Sequence, residues 1–284
     1  MADRPRPPGP LRLGGRSFPA GAQAVMAVVN RTPDSFYDRG LTYAFDAAVR
    51  AVDAAVAAGA DLVDIGGVKA GPGEEVGPDE EIRRVADLVA AARERHPGLV
   101  ISVDTWRAEV ADVVARAGAD LLNDTWGGPD PELPAVAAAH GIGLVCAHAG
   151  GLAPRSRTHR AAYGDVVAAV AGHVTGLAER AVAAGVRPDA VLIDPAHDFG
   201  KNTRHSLELT RRLDELVATG WPVLVAVSNK DFVGETLRAP VEHRAEGTAA
   251  ALALSAWHGA RVLRVHDAAA ARAALDAVAF MRTG

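Results

Sequence analysis

The chain has 284 residues, more than a typical domain of about 100–200 residues and close to the roughly 250 residues that one (β/α)₈ barrel needs. Hydrophobic residues make up 49% and charged residues 23% of it, which excludes a disordered chain and predicts a globular protein with a sizeable core. The formal net charge of -5 and the isoelectric point near 6.1 exclude a broadly basic, nucleic-acid-binding surface.

Cysteine content and the opening residues indicate the compartment. The single cysteine, Cys146, cannot form an internal disulfide. The opening MADRPRPPGPLRLGG lacks the apolar centre of a signal peptide, and no apolar run approaches the roughly 20 residues of a membrane span. We therefore expect a cytoplasmic protein.

Short apolar runs alternate with alanine-rich segments along most of the chain. We expect residues 1–22 to be a flexible arm and residues 23–284 to be a single domain. The runs predict eight strands, at 24–30, 61–67, 100–105, 121–125, 143–148, 190–195, 222–228 and 262–267. Such alternation is typical of a parallel sheet and favours an α/β fold of the (β/α)₈ TIM-barrel type.

The segments between these runs have helical spacing of Ala, Val and Leu. Helices are predicted at 44–58, 79–95, 107–117, 166–185 and 244–258. Glycines at 59, 118, 141 and 259 stand where a helix would stop before the next strand. An open doubly wound sheet would give the same alternation, but the first strand runs into NRTPDSFYDRG and not into a GxGxxG turn, so we favour the barrel.

Polar residues collect where the predicted strands end. They are Asn30, Asp64, Asp104, Asn123, Asp124, His148, Asp194, Ser228, Arg264 and His266. One such residue alone is commonly a helix cap, but a barrel brings all these strand ends to one mouth, where active sites lie. Asp104, Asp194 and Asn123 can pair with a flat heterocycle, and Lys230, Arg264 and His266 suit a phosphate or carboxylate.

Metal and covalent chemistry have weaker support. His148, His197, Asp198 and His266 could form a cluster, but their spacing matches no zinc motif. We expect at most a Mg²⁺ ion near Asn30, bound to the phosphates of a substrate. The sequence has no GxSxG elbow, and its cysteine lies inside an apolar run, so a Ser or Cys nucleophile is not expected.

The order of motifs resembles dihydropteroate synthase, the pterin-binding barrel enzyme of folate synthesis, over nearly all of the chain beyond its first twenty residues. The motifs are VMAVVNRTPDSF, GADLVDIGG, ISVDTWRAEVA, NDTWGG, IDPAHDFGK, SNKDFVG and RVHD. The family joins 6-hydroxymethyl-7,8-dihydropterin diphosphate to 4-aminobenzoate and expels diphosphate. The resemblance also implies a homodimer.

The resemblance assigns roles to matching residues. Pterin binding falls to Asp104, Asn123, Asp194, Lys230 and Arg264, and Lys230, Arg264 and His266 would be the catalytic groups. Diphosphate would be contacted by Asn30, Arg264 and His266, with Mg²⁺ at Asn30. The acceptor side would be formed by Phe199, Ser228 and Asp231.

Three loops depart from the family pattern. After Gly66-Gly67 the family usually has Glu-Ser-Thr-Arg-Pro-Gly, but residues 68–73 read VKAGPG and lack the Thr and Arg. Lys69 could replace the Arg charge without its forked geometry. A Ser-Arg-Lys-Ser type segment becomes SNKD, which places Asp231 at a helix start, where it could repel an acceptor carboxylate or act as a simple cap.

The third departure is in the DPGxGFGK type of loop, which reads DPAHDFGK, with Ala196 and Asp198 in place of glycines. The sequence therefore predicts a pterin-binding member of the family whose synthase activity is weak or lost. The alternatives are a working synthase, a noncatalytic pterin-binding or partner-regulating protein, and a transferase with another acceptor amine or a folate-type methyl donor.

Overall fold

The strands form one parallel barrel with a small hairpin beside it. The computed structural model describes residues 9–33, 40–156 and 162–283. Within these ranges the strands are β1 (Leu11–Leu13), β2 (Arg16–Phe18), β3 (Ala24–Asn30), β4 (Leu62–Gly66), β5 (Val100–Asp104), β6 (Leu121–Asp124), β7 (Gly143–Ala147), β8 (Val191–Asp194), β9 (Leu224–Val225) and β10 (Val262–Val265).

Barrel closure follows from the pairing order. Strands β3 to β8 pair in chain order, and β10 pairs with both β3 and β9, all in parallel. Ile193 at the end of β8 and Val223 before β9 form a parallel bridge that closes the ring. The (β/α)₈ TIM-barrel prediction is confirmed. The seventh predicted run, 222–228, contributes only the two paired residues of β9.

Helices surround the barrel. They are α1 (Phe45–Ala57), α2 (Pro78–Arg95), α3 (Ala108–Ala117), α4 (Leu133–His140), α5 (Val166–Ala183), α6 (Thr203–Arg211), α7 (Leu213–Val217), α8 (Asp231–Leu237), α9 (Ala245–Trp257) and α10 (Ala268–Thr283). The glycines at 59, 118, 141 and 259 all have positive φ, between +66° and +112°. The four predicted stops therefore use the left-handed conformation that glycine adopts without steric cost.

The barrel interior is filled with side chains. One apolar residue from each barrel strand joins a buried cluster: Met26, Leu62, Val100, Leu121, Val145, Leu192, Leu224 and Val262. A second, larger cluster lies between strands and helices, where alternate residues such as Val63 of β4 and Val103 of β5 face outwards and both strands contact α2. The barrel is therefore a packed scaffold, and only its ends are open to a ligand.

The sequence predicts a flexible arm over residues 1–22, and this prediction is wrong for residues 11–18. These residues form the antiparallel pair β1–β2, and Leu11, Leu13 and Phe18 belong to the cluster inside the barrel. The guanidinium of Arg261 donates to the carbonyl oxygens of Gly9, Phe18, Pro19 and Ala22 at 2.7–3.2 Å. The hairpin is thus bound to the end of the barrel from which the strands start.

One helix within the described ranges has the length and composition of a membrane span. It is α5, of which a third is buried in the structure. Its buried stripe includes Val170, Val174 and Ala178 and packs against β7 and β8. A core helix of a globular protein passes the same test, so this single helix is weak support for membrane insertion.

Candidate functional site

A cavity of about 360 Å³ lies at the carboxyl ends of the strands. Nine of the ten residues to which the sequence assigns a role line it: Asn30, Asp104, Asp194, Phe199, Ser228, Lys230, Asp231, Arg264 and His266. They come from separate strands and loops and meet because parallel strands end at the same mouth. Their individual roles stay predictions.

Arg264 is the centre of the ionic network in this cavity. From β10 its Nε donates to Asp64 Oδ2 at 2.6 Å, and its Nη2 donates to Asp104 Oδ2 at 3.0 Å. Asp64 is fully buried and also accepts from Ser102 Oγ at 2.5 Å. A buried carboxylate needs such partners because burial removes its hydration.

Asn123 lies behind this network and does not line the cavity. Its Nδ2 donates to Asp64 Oδ2 at 3.0 Å. Its Oδ1 is buried and has no hydrogen-bond partner among the described residues. An unpaired buried acceptor costs free energy.

The two predicted pterin carboxylates share a low-dielectric environment. Burial raises the pKa of Asp104 to about 7, although the Arg264 guanidinium opposes this shift. Burial also raises the pKa of Asp194, whose Oδ1 accepts from the Ala196 amide at 2.7 Å. Both groups can therefore exchange a proton with a bound heterocycle more readily than a surface aspartate.

Lys230 and His266 also line the cavity. Lys230 Nζ donates to the carbonyl of His197 and lies 4.9 Å from the centre of the Phe199 ring. Burial lowers its pKa. His266 Nδ1 lies 3.0 Å from Ser228 Oγ, which fixes the ring at the mouth.

The loop after β8 has a strained backbone. Ala196 has φ of +48° and Asp198 has φ of +70°, and Gly200 follows with φ of +61°. Left-handed backbone costs a residue with a Cβ atom roughly 1–2 kcal/mol. The substitutions therefore keep a conformation for which glycine is the ordinary residue, and the rest of the structure compensates for the strain.

Lys201 holds this loop in place. Its buried Nζ donates to the carbonyl oxygens of His148, Phe199 and Ala196 at 2.8–3.1 Å, and lies 2.9 Å from His148 Nδ1. Burial lowers the pKa of Lys201 to about 7 and that of His148 to about 3. The sequence analysis gave this lysine no role, because nothing in the linear pattern shows which loop carbonyls surround it.

The loop of residues 68–73 lies over the same mouth. Val68, Lys69 and Ala70 line the cavity, so Lys69 reaches the region where a substitute charge was expected. The loop is supported by Arg155, whose Nε donates to the carbonyl oxygen of Gly71 at 3.3 Å.

The surroundings of Asp231 weaken the repulsion of an acceptor carboxylate that the sequence predicts for it. It begins α8, as predicted, but its side chain is 82% exposed and accepts from Arg244 Nη1 at 3.0 Å. Solvent and the guanidinium both reduce its repulsion of another anion. The carboxylate that approaches the start of α8 is that of Asp198, whose Oδ2 accepts from the Phe232 amide at 3.3 Å.

Metal ligands are sparse at this mouth. Across the described ranges, the structure has no group of three or more His, Cys, Asp or Glu side chains placed to bind a metal ion. His148 and His197, which the sequence offered as candidates, are both buried, and His197 Nε2 lies 3.1 Å from Thr210 Oγ1. Asn30 offers a single amide oxygen to the cavity.

Known proteins similar to this chain point to one family. The model of the pterin binding enzyme family matches residues 26–266. A Mycobacterium tuberculosis protein named inactive dihydropteroate synthase 2 is 58% identical over 271 residues, which cover 94% of this chain and 85% of that protein. The Bacillus subtilis dihydropteroate synthase is 37% identical over 245 residues, or 86% of this chain and 83% of the synthase.

The similarity extends to solved structures. The dihydropteroate synthase of Yersinia pestis, determined as a complex with a sulfonamide drug, superposes with a TM-score of 0.91 and 34% identity. The match covers 96% of this chain and 99% of that one. The extent of the sequence match and the agreement of the barrels lead to one conclusion: this chain is a dihydropteroate synthase-like member of the pterin-binding enzyme family.

Proposed function

We propose that the chain binds 6-hydroxymethyl-7,8-dihydropterin diphosphate in the barrel mouth and has weak or no ability to condense it with 4-aminobenzoate. The observation that carries this proposal is the contrast between the two sides of the cavity. The strand-end groups suited to a pterin are in place, whereas the loops on the acceptor side are altered and occupied by the chain's own side chains. The similarity to relatives named inactive dihydropteroate synthase 2 supports the weak or absent synthase activity.

Four polar groups suit the pterin ring. Asp104 and Asp194 can accept from ring N–H and amino groups, and Lys230 can donate to a ring carbonyl or nitrogen. The planar guanidinium of Arg264 can stack on the ring once it leaves Asp104. This movement would open the way to the unpaired Oδ1 of Asn123, and pairing that oxygen would offset part of the ion-pair loss.

The diphosphate would lie near Asn30, Arg264 and His266. In a displacement at the pterin methylene, negative charge grows on the leaving diphosphate, and positive groups at the mouth would stabilise it. Mg²⁺ commonly combines one or two protein oxygens with substrate phosphates and water, so the single amide oxygen of Asn30 fits such an ion. The metal would supply further charge neutralisation when bound.

Two altered loops support weak turnover, one near the diphosphate and one on the acceptor side. Residues 68–73 lack the hydroxyl and forked guanidinium that the family pattern places there, and each charge-assisted bond to a phosphate is worth about 1.5–3 kcal/mol. Asp198 places a carboxylate in the cavity wall beside Phe199. We also infer, from family membership, a homodimer located in the cytoplasm.

Calorimetric titration with the pterin diphosphate and Mg²⁺, followed by a product assay with 4-aminobenzoate, tests the proposal. We expect binding of the pterin without appreciable product. Asp194→Ala should weaken pterin binding roughly tenfold or more, because it removes a buried partner worth about 1–3 kcal/mol. Asp189→Ala, at the opposite end of the barrel, is the control.

Each half of the proposal can fail separately. Turnover at the rate of an ordinary synthase would disprove the loss of activity and select the working-synthase alternative. Absence of pterin binding, or equal binding by the Asp194→Ala variant, would disprove the pterin site.

A further inference from the structure

The acceptor side of the cavity already contains a fixed anion. Asp198 lines the cavity together with Phe199 and Lys230. Its Oδ1 accepts from the Ser206 hydroxyl at 3.0 Å, and its Oδ2 accepts from the Phe232 amide at 3.3 Å. Its own amide donates back to Ser206 Oγ at 3.1 Å. These three bonds hold the carboxylate in one position, so an incoming ligand cannot displace it without leaving several polar groups unpaired.

The cations near this carboxylate are already paired. Lys230 donates to the carbonyl of His197, stands over Phe199, and is attracted by Asp198. Arg244 donates to both Asp231 and the carbonyl oxygen of Asn229. An acceptor carboxylate entering here would meet the fixed Asp198 carboxylate, and Asp198 and Asp231 already offset part of the positive charge of Lys230 and Arg244.

We propose that Asp198 determines acceptor specificity, so that this side of the cavity admits neutral or cationic aromatic amines and excludes those that carry a carboxylate. The inference rests on the proposed function, since it assumes that an aromatic acceptor docks beside Phe199. It differs from the charge conflict expected of Asp231, because the Asp231 side chain is largely solvated and Asp198 is fixed in the wall.

Three para-substituted anilines of similar shape provide the test: 4-aminobenzoate is anionic, 4-aminobenzamide neutral and 4-aminobenzamidine cationic. Each is titrated into the full chain with and without the pterin diphosphate and Mg²⁺. We expect the benzoate to bind the parent about tenfold or more weakly than the amide, and the amidine to bind at least as well as the amide. Repulsion between like charges in a partly desolvated site gives this order.

Substitution of Asp198 should reverse the preference. Asp198→Asn keeps the size and one hydrogen-bond acceptor but removes the charge, and should raise benzoate affinity about tenfold while lowering amidine affinity. Asp198→Gly, which suits the positive φ, is the second variant in case the first does not fold. Glu235→Gln on α8 removes a nearby carboxylate outside the cavity lining and should leave the order unchanged.

Several outcomes would overturn the inference. They are an unchanged order in both Asp198 variants, a full reversal produced by Asp231→Asn instead, and no binding of any of the three anilines to the parent. Failure of the pterin to bind is a separate result: it disproves the proposed function, whereas the order measured without pterin still decides the role of Asp198.

Discussion

Removal of Arg264 should expose how much the barrel depends on the ionic network at its mouth. Arg264→Leu takes away the guanidinium that bonds Asp64 at 2.6 Å and Asp104 at 3.0 Å, while it keeps an apolar side chain in the space. Asp64 would retain its bonds from Ser102 and Asn123, but the two buried carboxylates would face each other without a cation.

The magnitude follows from burial. Removing one partner of a buried ion pair destabilises a protein by about 3–5 kcal/mol, because the other charge stays buried and unpaired. We expect a loss of this size near pH 8. At lower pH the pair can take up a proton, and burial already raises the pKa of Asp104 to about 7 in the parent. The sign is therefore definite: the variant's deficit shrinks as pH falls towards about 7, by up to about 1.4 kcal/mol per pH unit for one proton, and changes little below that pH, where Asp104 is protonated in the parent as well.

Urea unfolding followed by circular dichroism at pH 5.5, 7 and 8.5 measures this deficit, with the slope of the transition checked for two-state behaviour. Arg95→Leu is the matched control, because Arg95 pairs with Asp53 at the surface, where such a bond is worth about 0–1 kcal/mol. If Arg264→Leu unfolds like Arg95→Leu at every pH, the carboxylates do not depend on this guanidinium, and the reasoning is wrong.

Three further predictions concern the scaffold and its loops. Leu13→Ala should lower the free energy of unfolding by about 2–5 kcal/mol, whereas Arg12→Ala, on the solvent side of the same strand, should change it little, as urea titrations would show. In the parent, stability should rise between pH 7 and about 10, because the unfolded state keeps the Lys201 proton that the folded state loses near pH 7. Lys201→Met should reduce this rise to the part that the lowered pKa of Lys230 contributes, and an undiminished rise would show that Lys201 is not its source. Ala196→Gly should stabilise by about 0.5–1 kcal/mol by relieving the positive φ, while Ala137→Gly inside α4 should destabilise, and thermal melting of both variants distinguishes the two signs.

The barrel could be predicted because its signals are local and repeated. Each strand is a compact apolar run, and each of four strands follows a glycine that ends a helix. The hairpin β1–β2 gives no such signal, since strands of three residues are too short to show a period. Its burial depends on the barrel end that it covers, and only tertiary contacts show this.

The candidate site likewise has residues that local sequence signals identify and residues whose roles only tertiary contacts show. Strand-end residues could be named because parallel strands bring their carboxyl ends together, whatever the helices do. Asp64 lies in the middle of β4, and its role as the buried partner of Arg264 depends on a contact 200 residues away in sequence. The sequence shows Asp198 as a replacement for glycine and as a weak metal-ligand candidate, but not its bonds to Ser206 and Phe232, which require the folded loop.

The two halves of the cavity also differ in what a substitution costs. Arg264 and Asp64 belong to a buried ionic network, so loss of either would destabilise the barrel whether or not a ligand binds. Residues 68–71 lie in a loop over the mouth, and a change in such a loop can abolish chemistry at little cost in stability. Stability is therefore enough to explain why the chain has Arg264, and its presence is not evidence of ligand binding. His266 provides the sharper test of pterin diphosphate binding, because its ring lies at the mouth of the cavity, where Nδ1 is 3.0 Å from Ser228 Oγ. If His266→Ala keeps the parent's stability and loses affinity for the pterin diphosphate, ligand binding and not folding accounts for that residue.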